Sequence, residues 1–384
     1  MHTRAVTGSG GLLTAALALA GSLVLTAALS AVTGCGRGSA AGGAREPSEK
    51  RGVEAAALPF RVLRARGGQE VGWSAFLAEL GGADAICVGE NHRNPHDHWA
   101  QLHLVDAVTD ANRRAGTATA LGMEMFQRPF QGVLDDFAAR RIDEAALLSR
   151  TAWKTRWGFD WSLYRPIVLL ARERGAALIA LNIPRELTRK VSRKGIERLE
   201  PSERSQLPQL VLDDAQHRAW WDAIMEEMGA HGHAAGADDQ DDGGEEGEDG
   251  DDGAHAGKPA PAADAKKDKK DAKAEPADDE GEEADHKAAG ERMYTAQVLW
   301  DETMADGASR WLTGSGTPAG RRQIIILAGN GHCHESAVIR RIERRGIKAA
   351  VSVRPIIDGG DGEVAELLAD PENDFLFVMT MPPR

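Results

Sequence analysis

Cysteine and tyrosine are scarce in this chain, with three cysteines and two tyrosines among 384 residues. Beyond Cys35, only Cys87 and Cys333 remain to form a disulfide in an oxidising compartment. Cys87 lies in the middle of an apolar run that is typical of a buried strand. We therefore expect it to be a buried thiol rather than half of a disulfide.

A basic excess is also absent, because the net charge is −13. Residues 231–290 hold 20 Asp and Glu against 7 Lys and contain no aromatic residue, Leu, Ile or Val. Such a segment cannot bury enough apolar surface to offset its ordering entropy, so we predict a disordered acidic insert there. It accounts for the whole net charge, and the remaining residues balance. The sequence therefore gives no support for a nucleic-acid partner.

One long uncharged segment is present, over residues 12–32 after Arg4. It is long enough for a transmembrane helix, but the tetrad 32–35, Val-Thr-Gly-Cys, favours a lipoprotein signal peptide. We predict a signal peptide over residues 1–34, acylation of Cys35 and a flexible tether over residues 35–57. Gly36 stands where an inner-membrane protein would carry Asp, which favours the outer membrane and a domain facing the periplasm.

The rest of the chain, residues 58–384 interrupted by the insert, predicts an α/β domain. Short apolar runs without period-2 alternation are typical of strands buried on both faces. Helix-length segments separate them, with Pro near the first position at Pro95, Pro129 and Pro184. This order predicts a mostly parallel sheet with helices on both faces and a helical subdomain. The predicted strands are residues 85–88, 118–122, 177–181 and 323–328, with residues 350–357 and 375–379 extending one edge of the sheet.

Polar side chains follow four of these strands. Ligands bind beside the carboxyl ends of the strands in open α/β sheets, so we expect these side chains to face one cleft. The two Gly-x-x-His tetrads are the strongest feature, because glycine permits a tight turn that lets the histidine project. The candidate residues are Glu90, His92, Glu124, Gln127, Asn182, Arg185 and His332.

Several of these motifs together resemble the ChaN family. The matching stretches are residues 88–92, 124–129, 157–158, 164–166, 182–185, 296–305 and 328–332. The resemblance implies an envelope lipoprotein that binds haem and works with a haem-transport partner. It also implies a wider Tiki/TraB-like and erythromycin-esterase-like superfamily with paired Gly-x-x-His motifs. The acidic insert departs from the family pattern, in which the connection is shorter.

Haem binding needs an apolar slot, an iron ligand and cations for the propionates. Trp153, Trp157 and Trp161 recur every four residues, a spacing that predicts one helical face. Tyr164 is the predicted iron ligand, because a phenolate binds ferric iron well. The further candidates are His96 as a ligand, Arg165 and Arg185 for the propionates, and Asn182 beside them. Whether one chain or a homodimer binds the haem stays open.

Two other functions stay open at this point. Glu90, His92, Glu124 and His332 could hold a divalent metal or activate a water, which predicts a hydrolase. No Ser, Cys or Thr lies in an elbow-like turn, so only a water-based mechanism would serve. The third hypothesis is a non-catalytic interaction module that uses the acidic insert.

Overall fold

The computed structural model of the chain describes residues 58–230, 279–314 and 320–381. The predicted signal peptide, Cys35, the tether and residues 231–278 of the predicted insert lie outside the described residues. Within the described ranges, no helix combines the length and the apolar character needed to cross a bilayer.

One sheet of eight strands organises the described domain, in the order β2-β1-β8-β7-β3-β6-β4-β5. Neighbouring strands from β8 to β5 are parallel, whereas β1 is antiparallel to both β8 and β2. The strands are β1 (Phe60–Arg64), β2 (Glu70–Val71), β3 (Ala85–Val88), β4 (Ala118–Gln127), β5 (Ala177–Asn182), β6 (Arg322–Leu327), β7 (Ala350–Asp358) and β8 (Phe375–Thr380).

Helices cover both faces of this sheet, which confirms the predicted α/β class. They are α1 (Trp73–Gly82), α2 (Pro95–Ala115), α3 (Gln131–Ala138), α4 (Glu144–Arg150), α5 (Trp153–Arg156), α6 (Trp161–Glu173), α7 (Arg185–Lys194), α8 (Pro201–Arg204), α9 (Ala215–Ala230), α10 (Asp279–Thr313), α11 (Arg340–Arg344) and α12 (Glu363–Ala369). Helices α1 to α6 share one core with the sheet, and α10 and α11 pack on its other face. Helices α7, α9 and α10 also form small apolar clusters of their own, as expected of a helical subdomain.

Helix α2 begins at Pro95, the position predicted from the sequence, and the residues that cap its two ends explain its bounds. The side chain of Asn94 accepts a hydrogen bond from the backbone N–H of His96, and Pro95 occupies a first-turn position that needs no donor. The helix ends at Gly116, whose φ of 70° suits glycine. The capped start of α2 also ends the loop that follows β3, so it helps to hold the side chains of that loop in place.

Strands β7 and β8 extend the four central strands at the β3 edge, as predicted, and the β1-β2 hairpin continues the sheet beyond β8. Three other predictions about the fold were wrong. Residues 279–290, assigned to the disordered insert, form the start of α10. Cys87 is not a free thiol, since it is bonded to Cys333.

The third error concerns the three tryptophans at a spacing of four. Helix α5 ends at Arg156, and Gly158 turns the chain with a φ of 87° before α6 begins at Trp161. The stripe is therefore broken by a loop. The rings of Trp153 and Trp161 still meet, with centroids 4.9 Å apart, but across two helices rather than along one.

Candidate functional site

The four strands that precede the predicted site are consecutive neighbours in the sheet, in the order β3-β6-β4-β5. All are parallel, so their carboxyl ends meet along one edge, which we call the carboxyl edge. Glu90, His92, Glu124 and His332 collect at this edge as predicted, although Glu124 and Gln127 lie within β4 rather than after it. They form two clusters, one around Glu90 and one around His332.

Glu90 is the centre of the first cluster and is 2% exposed. Its Oε1 accepts hydrogen bonds from His92 Nδ1 at 2.8 Å and from the Tyr164 hydroxyl at 2.7 Å. Its Oε2 accepts one from Gln101 Nε2 at 2.8 Å. Burial alone would raise the pKa of Glu90, but the bond to His92 and the charges of His92 and His98 outweigh it and lower the pKa. The carboxylate is therefore ionised and fully engaged.

His332 lies in the second cluster between two carboxylates. Its Nδ1 is 2.7 Å from Asp301 Oδ1, and its Nε2 is 3.4 Å from Glu124 Oε1. Asp301 is in turn 3.1 Å from His217 Nε2 and 3.6 Å from Arg341 Nη1. Burial opposes the charge of His332, but Glu124 and Asp301 together raise its pKa to about 10. At neutral pH the ring is therefore an imidazolium.

Gly329 brings the two clusters together. Its backbone N–H donates to Glu124 Oε2 at 2.8 Å, and a Cβ on this residue would lie 3.1 Å from Cε1 of His92. Burial alone would raise the pKa of Glu124, but the nearby His332 and, to a smaller extent, His92 outweigh it and lower this pKa to about 2. His92 also has a raised pKa, because Glu90 and Glu124 outweigh the effect of burial. The imidazolium of His332 and the ring of His92 thus share the cleft with the carboxylates of Glu90 and Glu124.

The loops that carry the two histidines are packed against each other. A Cβ on Gly89 would overlap Oδ1 of Asn330, so the close approach requires glycine. The disulfide between Cys87 and Cys333 ties the same two segments together beside the cleft. The geometry of the two Gly-x-x-His loops is therefore fixed by covalent and steric contacts.

A pocket of about 480 Å³ lies beside the first cluster, at the start of α2 and α6. Its walls are the side chains of Trp157, Phe159 and Leu163, and it is also lined by Arg93, Pro95, Gly158 and Asp160. The ring of His92 packs against both Trp157 and Phe159, with centroids 4.8 Å apart in each case. This volume is within the range of small-molecule and cofactor sites.

The structure separates the remaining predicted residues. Arg165 is paired with Glu144 at 2.8 Å, about 200° around α6 from the pocket residue Leu163. Arg185 donates to the backbone carbonyl of Thr155, within α5, and Asn182 caps its own loop by accepting from the N–H of Ile183 at 2.8 Å. Neither arginine lines the pocket.

Tyr164 and His96 also occupy different environments. Tyr164 is 2% exposed, and burial and Glu90 together raise its pKa, so the phenol keeps its proton. His96 is half-buried beside the pocket residue Pro95. Its Nδ1 lies 3.2 Å from Oδ1 of Asn94, which leaves Nε2 without a hydrogen bond to any residue in the described part of the chain.

Asp301, His217, His98 and Gln101 belong to these clusters but were not among the predicted site residues. A signal was present for two of them, since His98 and Gln101 share the inward face of α2 with Leu104 and Val105. Polar residues in an otherwise apolar helical stripe indicate buried hydrogen bonds. No sequence pattern around His217 indicated a role in the site. His217 lies on α9, and its contact with Asp301 on α10 forms only in the folded chain.

The comparisons with known proteins identify the family of the chain. Residues 76–342 match the family model described as haem-binding uptake, Tiki superfamily, ChaN. The chain belongs to the ChaN family. The resemblance predicted from the motifs is thereby confirmed, and no curated protein matches the chain.

Two solved structures are similar to this ChaN-family chain. One is ChaN of Campylobacter jejuni with cofacially bound haem, with a TM-score of 0.54 and 14% identity over 83% of this chain and 96% of that chain. At this identity the likeness shows the fold. The other is a mutant erythromycin esterase in its open conformation, with a TM-score of 0.36 and 11% identity over 85% of each chain. That second likeness is too weak to support an argument.

A metal centre was one of the alternatives predicted for the cleft. Among the residues described, no group of three or more His, Cys, Asp or Glu side chains is arranged to hold a metal ion. The potential ligand atoms are instead committed to one another, as in the pairs of His92 with Glu90 and of His332 with Asp301. The arrangement therefore does not support the predicted divalent metal.

Proposed function

We propose that this ChaN-family chain is a lipid-anchored protein of the cell envelope that binds haem for uptake or handling of haem iron. The observation that carries the proposal is the aromatic pocket beside the Glu90 cluster in a chain of this family. Its walls of Trp157, Phe159 and Leu163 present an apolar slot at the carboxyl edge. Flat apolar walls of this kind suit a porphyrin face.

His96 is the residue we assign to the haem iron. Its Nδ1 faces the Asn94 carbonyl oxygen, which favours a proton on Nδ1 and leaves the lone pair of Nε2 available. The contacts of Tyr164 argue against the phenolate ligand predicted from the sequence, because an ionised phenol beside the buried carboxylate of Glu90 is costly. Tyr164 instead supports the wall of the slot from behind Trp157.

Arg93 is the cation that the pocket offers to a propionate. Its guanidinium lies 5.7 Å from the centroid of the Phe159 ring, at the exposed mouth of the slot. Arginine forms charge-assisted hydrogen bonds with carboxylates. We assign to Arg93 the propionate role predicted for Arg165 and Arg185, because Arg93 lines the slot and those two arginines do not. Arg165 pairs with Glu144, and Arg185 donates to Thr155.

Hydrolysis is the weaker candidate function. A histidine can take a proton from water only while its ring is unprotonated. Both cleft histidines have raised pKa values, and His332 keeps its proton to about pH 10. The carboxylates paired with them therefore work against water activation by these histidines, most clearly by His332 at neutral pH.

A haemin titration of the chain from Cys35 onward tests haem binding. We expect a Soret band that saturates near one haem per chain. His96→Ala should shift the band and weaken binding, and added imidazole should restore both. His286→Ala, which removes an exposed histidine of α10, is the matched control and should behave as the wild type. A wild-type chain that gives no Soret change contradicts the proposal.

Lipid anchoring is tested separately, by mass spectrometry of the N-terminal peptide and by cell fractionation. We expect a diacylglyceryl group on Cys35 and recovery of the protein with the outer membrane. Cys35→Ala should give an uncleaved precursor or a released protein. An unmodified Cys35 and identical fractionation of both proteins would rule out the anchor without affecting haem binding.

A further inference from the structure

Aromatic rings collect at the point where the described chain enters the domain. The ring of Phe60, at the start of β1, lies 5.3 Å from Trp73, 6.2 Å from Trp99 and 5.2 Å from His103. Trp99 and His103 stack with a centroid distance of 5.4 Å. All four rings are only half-buried. We call these four residues, together with Met381, the aromatic shoulder.

Met381 extends the shoulder into solvent and is 44% exposed. The backbone N–H of Thr380 donates to the carbonyl of Pro59 at 2.8 Å, so Met381 follows directly beside the start of β1. Side chains alternate along a strand, and Met381 therefore continues the face of Met379, which pairs with Phe60. A single exposed apolar side chain is ordinary on a protein surface, and it is the cluster of half-buried rings next to Met381 that marks this face as an interaction surface.

The aromatic shoulder lies at the carboxyl edge of the sheet. Strand β8 is parallel to the site-bearing strands and ends there, whereas the antiparallel β1 starts there. Helix α2 also begins at this edge, and Trp99 follows the pocket residue Pro95 by about one helical turn. The shoulder and the mouth of the haem slot therefore share the first turns of α2.

The chemistry of the shoulder suits the boundary between lipid and water. Tryptophan rings with a polar N–H are enriched at membrane interfaces. Burial lowers the pKa of His103, against the smaller opposing effect of Asp106, so the ring is neutral at pH 7 and adds no charge to the patch. The patch is therefore apolar in its centre.

The position of Cys35, the predicted acylation site, indicates that the surface next to the aromatic shoulder is a lipid bilayer. Leu58, the first described residue, follows Cys35 by 23 residues, which span at most about 80 Å when fully extended. An acyl chain on Cys35 would hold the domain within that distance of a bilayer. Weak contacts become effective at the high local concentration that such a link creates.

We propose that the aromatic shoulder docks on the phospholipid bilayer and turns the haem slot toward the membrane. The slot then exchanges haem with the lipid phase instead of with bulk water. This inference rests on the proposed function, since it assigns an orientation to the haem slot and a source to its ligand.

Tryptophan quenching by brominated lipid tests the orientation without depending on natural acylation. The only thiol outside the Cys87–Cys333 disulfide is Cys35, so the chain from Cys35 onward can be coupled to a maleimide lipid in phosphatidylcholine vesicles. We expect acyl-chain bromine to reduce the tryptophan emission of the coupled protein. Trp73→Phe with Trp99→Phe should remove most of this reduction. Trp311→Phe is the matched control, because this half-buried ring lies near the start of β6, at the opposite edge.

Met381→Lys provides a second variant that does not remove a packed ring. It should also lower the quenching, since it places a charge at the exposed tip of the shoulder. No quenching, or quenching that only Trp311→Phe removes, overturns the proposal. So does a concentration-dependent dimer that Met381→Lys disrupts, because a second chain would then cover the shoulder. Failure of haem binding appears separately, as a missing Soret change in every variant.

Discussion

The phenol of Tyr164 donates a hydrogen bond to Glu90, with 2.7 Å between the two oxygens. This contact joins α6 to the loop after β3 and makes Tyr164 a partner of a buried carboxylate. It also connects the slot to the first cluster, because Tyr164 lies 6.2 Å from Trp157 between ring centroids.

Tyr164→Phe should destabilise the chain while leaving haem binding in place. The variant removes one donor from a buried charge, which costs about 1–3 kcal/mol in the free energy of unfolding. Urea denaturation and a haemin titration measure the two effects. Tyr294→Phe, equally buried but 3.3 Å from the ring nitrogen His217 Nδ1 rather than from a carboxylate, should cost less. A folded Tyr164→Phe protein with no Soret band would restore Tyr164 as the iron ligand.

His332 predicts a specific dependence of stability on pH. Its folded-state pKa of about 10 exceeds the ordinary value of 6.5, so its contribution is complete below pH 6.5 and is lost as pH rises toward 10. The slope is at most about 1.4 kcal/mol per pH unit. His332→Gln should therefore differ most from the wild type at pH 6 and least at pH 10 in urea denaturation. A difference that is constant over this range contradicts the ion pairs with Glu124 and Asp301.

The Cys87–Cys333 disulfide should be detectable by alkylation of the unfolded chain. In the unacylated chain from Cys35 onward, only Cys35 should react without reductant, and all three cysteines should react after reduction. Replacing both Cys87 and Cys333 by Ala should lower the free energy of unfolding by about 2–5 kcal/mol. Cys35→Ala is the control and should leave it unchanged. Labelling of three thiols before reduction would show that the pair is not bonded.

The buried strands could be predicted from sequence because both of their faces are apolar. Residues 85–88 were predicted to the residue, and four of the other parallel strands differed by no more than one residue at either end. Strand β4 was predicted too short, because it continues past residue 122 to Gln127 and includes the polar residues Glu124 and Gln127. The β1-β2 hairpin was missed, since its short strands are half-buried and carry exposed charges. Such strands contain no continuous apolar run, which is the sequence pattern typical of a strand buried on both faces.

The convergence of Glu90, His92, Glu124 and His332 could also be predicted, because parallel strands bring their carboxyl ends to one edge. The charge states could not, since they depend on partners such as Asp301 that lie on other elements. The spacing of the tryptophans wrongly predicted a single helical face, because Gly158 has a φ of 87° and the chain forms a loop between Trp157 and Trp161. The disulfide was missed because Cys87 and Cys333 are 246 residues apart, with only 5.3 Å between their Cα atoms.

Leu163 and Arg165 lie on opposite sides of α6. Leu163 lines the proposed haem slot, whereas Arg165 belongs to the haem site predicted from the sequence, so variants of the two residues distinguish the two sites. The most direct measurement is therefore the haemin dissociation constant of Leu163→Glu and Arg165→Gln, with circular dichroism to confirm that both variants are folded. Leu163→Glu should weaken haem binding at least tenfold, about 1.4 kcal/mol or more, because it puts a carboxylate into the apolar slot. Arg165→Gln should bind haem as the wild type does. Loss of binding in folded Arg165→Gln, with Leu163→Glu unaffected, would contradict the assignment of haem to this pocket.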